Sequence, residues 1–130
     1  MYNAKIVDLP DKKSAGQTIA QIGVCAESVR IMSDKAVFRA ILLCGVRNAV
    51  ANIIKQEMLS CGADAAVSRW TVDCSRPKTD VLLFGTIKHY RHVIAKMRMQ
   101  CAGLPKGKKA EYKAVADELA HLLNADLKTE

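Results

Sequence analysis

Two glycine-containing turns are the first feature of this sequence that could bind a ligand. Each turn follows an apolar, strand-like run and precedes a helix-like run, so Gly45 and Gly85 occupy the same place in two similar strand–glycine–helix units, residues 40–61 and 80–101. A helix N-terminus exposes free backbone N–H groups and the positive end of the helix dipole, which favour an anion. If the two strands were parallel, both turns would lie at the sheet edge where open α/β sheets bind ligands. We therefore expect a phosphate or carboxylate to bind between Gly45-Val46-Arg47-Asn48 and Gly85-Thr86-Ile87-Lys88, unless the glycines serve only tight packing.

A second candidate site lies on the polar face of the helix that follows the first turn. Asn52, Lys55 and Gln56 have the spacing that places side chains in one helical patch. Such a patch could recognise a polar ring or a backbone, and the alternative is an ordinary solvated face. Together with the turns, the candidate ligand-binding residues are Gly45, Arg47, Asn48, Asn52, Lys55, Gln56, Glu57, Gly85, Thr86 and Lys88.

The stretch from Lys88 to Lys113 is the most basic part of a chain whose net charge is +7. On a helix, Lys88, Arg91 or His92, and Lys96 would recur on one side and could follow a phosphate backbone. Tyr90 lies among these cations in sequence but falls on the inner face of the helix, so the stretch lacks the interleaved aromatic side chains that a base-stacking platform requires. A solvated basic surface is therefore favoured over nucleic-acid binding.

No set of residues has a specific catalytic or metal-binding spacing. His89 and His92 are one helical turn apart, but no carboxylate or cysteine accompanies them at ligand spacing. The five cysteines are odd in number and none forms a C-x-x-C pair, which argues against a disulfide framework and favours a reducing compartment. No run approaches the ~18 apolar residues of a membrane span, and no signal-peptide core follows Met1. We expect a cytoplasmic protein that needs no cofactor or metal.

The hydrophobic pattern predicts one α/β domain over residues 1–130. It has a single mixed sheet, repeated strand–glycine–helix units, helices packed on the sheet and a C-terminal helix. Asn48 and Thr86 are the predicted N-caps. The predicted strands are 2–9 at an edge, 28–32, 37–44, 65–70 and 81–84, the last buried on both faces. The predicted helices are 14–22, 48–61, 86–101 and 110–124, with an exposed linker at 105–109.

Three segments together resemble a known module. They are residues 31–40, the run Ala51-Asn52-Ile53-Ile54-Lys55-Gln56-Glu57-Met58-Leu59-Ser60 with Gly62 and Ala65-Ala66 behind it, and residues 80–86. They resemble the N-terminal extension domain that precedes the catalytic barrel in an extended subset of bacterial dihydropteroate synthases. The resemblance covers about residues 28–104, and Asn52, Lys55, Gln56 and Glu57 lie in its most distinctive run.

The resemblance implies an accessory role rather than catalysis. The synthase itself is similar to a TIM barrel, which needs about 250 residues, and its Asp-Ser-Phe pterin segment is not present here. The implied function is a non-catalytic accessory domain in folate and pterin metabolism, whose partner is a separate synthase barrel or a second copy of itself. Two alternatives stay open: a small basic RNA-binding protein, and an enzyme that uses Lys55 or Lys88 to clamp a phosphorylated metabolite.

Overall fold

A computed structural model of the chain describes residues 1–71, 73, 75–101 and 106–128. It confirms the α/β class, the strand–glycine–helix units and the C-terminal helix. The elements are α1 (Lys12–Gln21), α2 (Ala26–Ala36), β1 (Phe38–Arg47), α3 (Asn48–Ser60), β2 (Asp64–Val67), a 3₁₀ turn (Arg69–Thr71), β3 (Lys78–Thr86), α4 (Ile87–Cys101), α5 (Lys106–Leu122) and α6 (Asn124–Leu127).

The sheet has the order β1-β3-β2, and β3 is antiparallel to both neighbours. Phe38 pairs with Thr86 at one end and Arg47 with Lys78 at the other. The expectation of a mixed sheet is therefore wrong. β1 and β2 run in the same direction and are joined through α3, while the short connection over residues 68–77 brings the chain back as β3 between them. A short connection returns a strand antiparallel, because a parallel return needs a longer crossover.

The core lies on one face of the sheet, beneath α2, α3 and α4. Alternate strand residues point into it, with Ile41 of β1 and Val81 and Leu83 of β3 buried. In α3, Ile54 and Met58 are one turn apart and both are buried. Burying one such side chain stabilises the fold by about 1.5–3 kcal/mol. The buried positions of α4 recur with helical spacing: Ile87, Tyr90, Val93, Ile94 and Met97.

A helical hairpin of α1 and α2 flanks this core. The predicted helix over 14–22 is confirmed as α1, but the predicted strand over 28–32 is wrong because this segment lies inside α2. Five alternating residues are too few to outweigh the helix-forming residues around them, and Ile31 and Met32 are exposed. Asp11 caps α1 by accepting a 2.8 Å hydrogen bond from Ser14 N–H, which holds the pKa of Asp11 below its ordinary value.

Three further predictions also differ from the structure. Residues 1–10 form no helix or strand, so the predicted edge strand over 2–9 is wrong in the single chain. β2 ends at Val67 and passes into the 3₁₀ turn, so the predicted strand over 65–70 is too long. The predicted linker is wrong over residues 106–109 because α5 begins at Lys106, and residue 105 lies outside the described residues.

Candidate functional site

The two glycine turns lie at opposite ends of the sheet. β1 and β3 are antiparallel, so Arg47 lies beside Lys78 while Thr86 lies beside Phe38. The premise that both turns share one edge is therefore wrong, and no anion can bridge them. The two units look alike in sequence because in each an apolar strand is followed by a glycine and then directly by a helix.

The first turn is built into the fold around a β-bulge. Leu43 pairs with Val81 and Val46 with Thr79, so Cys44 and Gly45 together lie opposite one residue, Asp80. Gly45 has a φ of +65°, a conformation that glycine adopts without strain. Its N–H donates to Asp80 Oδ1 at 2.9 Å. This backbone N–H is thus already bound to a carboxylate of the same chain.

The polar residues of the first turn also have partners within the chain. Arg47 donates to both carboxylate oxygens of Glu111, at 3.0 and 2.7 Å, which ties β1 to α5 and raises the pKa of Arg47. Asn48 is buried and its side-chain amide donates to the carbonyl of Arg76. Asn48 is the first residue of α3 rather than its N-cap, which is Arg47.

The second turn is closed by a histidine. Thr86 N–H donates to Nδ1 of His89 at 2.9 Å, and the Thr86 hydroxyl lies 3.2 Å from the same nitrogen. A Cβ added at Gly85 would lie 2.9 Å from that nitrogen and 3.0 Å from Cβ of Ala63. Gly85 therefore permits close packing of β3, α4 and the turn between α3 and β2, while Lys88 is exposed to solvent.

The polar residues of α3 do not all face one ligand. Lys55 donates to Asp64 Oδ1 at 3.2 Å and to the carbonyl of Ala65 at 2.7 Å, so it joins α3 to β2. The Ala65 N–H and the Lys55 ammonium hold the pKa of Asp64 below its ordinary value. Glu57 accepts a 2.8 Å hydrogen bond from Gln100. Asn52 is half-buried and Gln56 is exposed.

Two carboxylates neutralise part of the basic stretch from Lys88 to Lys113. Asp34 of α2 pairs with Arg91 at 2.7 Å and with Lys12 at 3.1 Å. Asp117 of α5 pairs with Arg98 at 3.2 Å and with Lys113 at 3.3 Å, which holds the pKa of Asp117 below its ordinary value. The side chains of residues 106–109 lie outside the described part. Within the described part, no cluster of three histidine, cysteine or acidic residues could hold a metal ion.

A surface cleft of about 450 Å³ lies beside the bulge. Trp70 forms one wall, and the guanidinium of Arg76 stacks over its ring at 3.7 Å from the ring centre. Arg69 lies over the same ring at 4.6 Å. Trp70 is half-buried in the 3₁₀ turn, and its indole ring makes cation–π contacts with both arginines.

The most unusual surface is the sheet face opposite the helices. Leu42 of β1 lies across from Leu82 of β3, which lies across from Ala66 of β2. The exposed fractions are 59% for Leu42 and 40% for Leu82, and Phe38 at the end of β1 is 56% exposed. We call this surface the open sheet face; its apolar residues are Phe38, Ala40, Leu42, Cys44, Ala66, Leu82 and Phe84.

The open sheet face contradicts one prediction about the burial of β3. The prediction that residues 81–84 are buried on both faces is wrong, because Val81 and Leu83 are buried whereas Leu82 is exposed. A fully apolar strand is typical of a sheet covered on both sides. The signal for the open sheet face is present as apolar residues at every position of β1 from Ala40 to Cys44, a pattern that is equally typical of a strand covered on both faces.

Comparison of the chain with protein-family profiles, curated proteins and solved structures found no match. No helix in the described part of the chain has the length and apolar character to cross a bilayer.

Proposed function

We propose that this chain is a non-catalytic accessory domain that binds a partner protein through the open sheet face. The partner that the sequence resemblance suggests is a dihydropteroate synthase barrel protein, which places the domain in folate and pterin metabolism. The observation that carries the proposal is the exposure of Leu42 and Leu82, which are paired across β1 and β3 on the uncovered face of the sheet.

The open sheet face has the layout of a protein interface. Its centre is apolar and lacks lysine or arginine, while Lys78 and Asp80 stand at one end of β3 and Asp64 at the edge of β2. An apolar centre with a charged rim is typical of protein–protein contacts. Strand spacings give the face an area of roughly 300 Å². Exposed apolar patches of a few hundred Å² often mark interaction sites.

Three of the four charged candidate residues, all but the solvent-facing Lys88, support binding over catalysis. Arg47, Lys55 and Glu57 each have a partner within the fold, on α5, β2 and α4 respectively. A side chain that holds two elements together is not free to clamp a phosphorylated metabolite without breaking that contact. The open sheet face, in contrast, has no internal partner in the described chain.

The test measures binding to a barrel-only dihydropteroate synthase encoded in the same genome, by isothermal titration calorimetry. We expect Leu42→Asp and Leu82→Asp each to weaken binding at least about tenfold, because each places a charge in an apolar interface, a cost of at least ~1.4 kcal/mol. Leu59→Asp is the matched control, since Leu59 is an equally exposed leucine on α3. It should leave affinity unchanged.

Two results would overturn the proposal. One is that the wild-type chain shows no binding to the barrel at about 100 µM, a concentration that reveals even weak protein contacts. The other is that the chain binds RNA tightly, with an affinity that falls steeply with salt and is unaffected by Leu42→Asp. The second result would favour the polyanion-binding alternative.

A further inference from the structure

Residues 1–8, which we call the arm, have the composition of a strand but lack a partner strand. Ile6 and Val7 are β-branched residues, which favour strands. In the single chain the arm forms no helix or strand, and every one of its residues is exposed. Ile6 is fully exposed, although burying an isoleucine is worth about 1.5–3 kcal/mol.

The base of the arm is fixed to the body of the protein. Leu9 packs against the core, and the carbonyl of Pro10 accepts a 2.6 Å hydrogen bond from Arg39. Arg39 is held in turn by two hydrogen bonds to Asp126 of α6, at 3.1 and 3.0 Å. The arm therefore leaves the fold at a defined place, beside the first residues of β1.

β1 offers the surface that such a strand needs. It is an edge strand of ten residues, and in the described part of the chain its only strand partner is β3. Between Arg39 and Arg47 it contains no charged residue and no proline, the two features that usually protect an edge strand. The bulge disturbs β1 only after Leu43, so residues 38–43 form a regular stretch that a five-residue strand could pair with.

We propose that the arm of one copy adds as a fourth strand to the β1 edge of a second copy, which gives an arm-exchanged homodimer. Asn3 has a φ of +54°, so the added strand begins at Ala4 and extends to Asp8. Main-chain hydrogen bonds along the edge provide the affinity, as in other cases of strand addition. The exchange is reciprocal, and a two-fold axis closes the assembly at two copies. This proposal does not depend on the synthase partner.

Sedimentation velocity of the full chain from about 1 µM to about 200 µM tests the assembly. We expect a reversible dimer. Deletion of residues 1–8 should give a monomer whose melting temperature equals that of the dilute, monomeric wild-type chain, because dimerisation stabilises only the concentrated wild type. Ile6→Pro and Val7→Pro form a matched pair. In an added strand only alternate N–H groups face the neighbouring strand. One proline variant should therefore weaken dimerisation at least about tenfold more than the other, and equal effects would contradict the proposal.

Amide hydrogen exchange of Lys5, Ile6 and Val7 separates the remaining outcomes. Protection that rises with protein concentration supports exchange between copies. Protection that is the same at all concentrations in a monomer would mean that the arm pairs with its own β1, and no protection would mean a free arm; either result overturns the proposal. A dimer that survives arm deletion but dissociates with Leu42→Asp would also overturn it, because the open sheet faces would then form the contact. Binding to the synthase barrel should be the same with and without the arm, so the two proposals can fail separately.

Discussion

Leu82 and Leu83 are neighbours in β3 whose side chains lie on opposite faces of the sheet, one toward solvent and one in the core. Leu83 is fully buried, whereas Leu82 is 40% exposed and pairs with Leu42 and Ala66 on the neighbouring strands. The same side chain thus has two different energetic roles at adjacent positions. The difference separates what holds the fold together from what the fold presents to a partner.

Alanine substitution at these two leucines should show this difference. We expect Leu83→Ala to lower the free energy of unfolding by about 2–5 kcal/mol, because it leaves a cavity in the core. Leu82→Ala should lower it by less than about 1 kcal/mol, as for a surface position. Urea unfolding followed by circular dichroism measures both. Equal costs at low protein concentration would mean that the open sheet face is covered within the single chain.

Local periodicity was sufficient to predict β1, α3, β3 and α4, but it could not give the direction of the strands. The runs before Gly45 and Gly85 satisfy the same strand-to-helix rule, and only the short connection after β2 makes them antiparallel. Nor does an apolar run reveal whether one face of its strand is uncovered. The sequence also could not predict the ion-pair partners of the charged candidate residues, because Arg47 and its partner Glu111 are 64 residues apart.

Gly85 and His89 provide a test of the packing between β3 and α4. Gly85→Ala should lower the free energy of unfolding by about 1–3 kcal/mol, because the new Cβ would overlap Nδ1 of His89 and crowd Ala63. In a His89→Ala background this cost should fall without vanishing, since the contact with Ala63 remains. A double-mutant cycle by urea unfolding measures the coupling.

Gly62→Ala is the control for that cycle. Gly62 has a φ of +93°, and a Cβ added there would lie 4.0 Å from Nε2 of His89, an ordinary van der Waals distance, so its substitution costs backbone strain rather than a clash. His89→Ala should therefore not reduce the cost of Gly62→Ala. If it did so as strongly as for Gly85→Ala, the proposed overlap at Gly85 would not be the cause.

Tyr90 links α4 to β1 from inside the core, and the link should make the fold sensitive to alkali. Its hydroxyl donates to the carbonyl of Arg39 at 2.7 Å, and burial raises the pKa of Tyr90 above its ordinary value of 10.0. The neutral phenol therefore contributes stability that is complete below about pH 10 and is lost as the pH rises further.

We expect Tyr90→Phe to cost about 1 kcal/mol near neutral pH, because the Arg39 carbonyl loses its donor. Above about pH 10 wild-type stability should fall more steeply than that of Tyr90→Phe. Urea unfolding from about pH 7 to about pH 11 measures both effects, with tyrosinate absorbance as the second readout. Tyr2→Phe, which changes an exposed tyrosine of the arm, should alter neither the free energy of unfolding nor its dependence on pH. If Tyr90→Phe lost stability in alkali as steeply as the wild type, ionisation of Tyr90 would not be the cause.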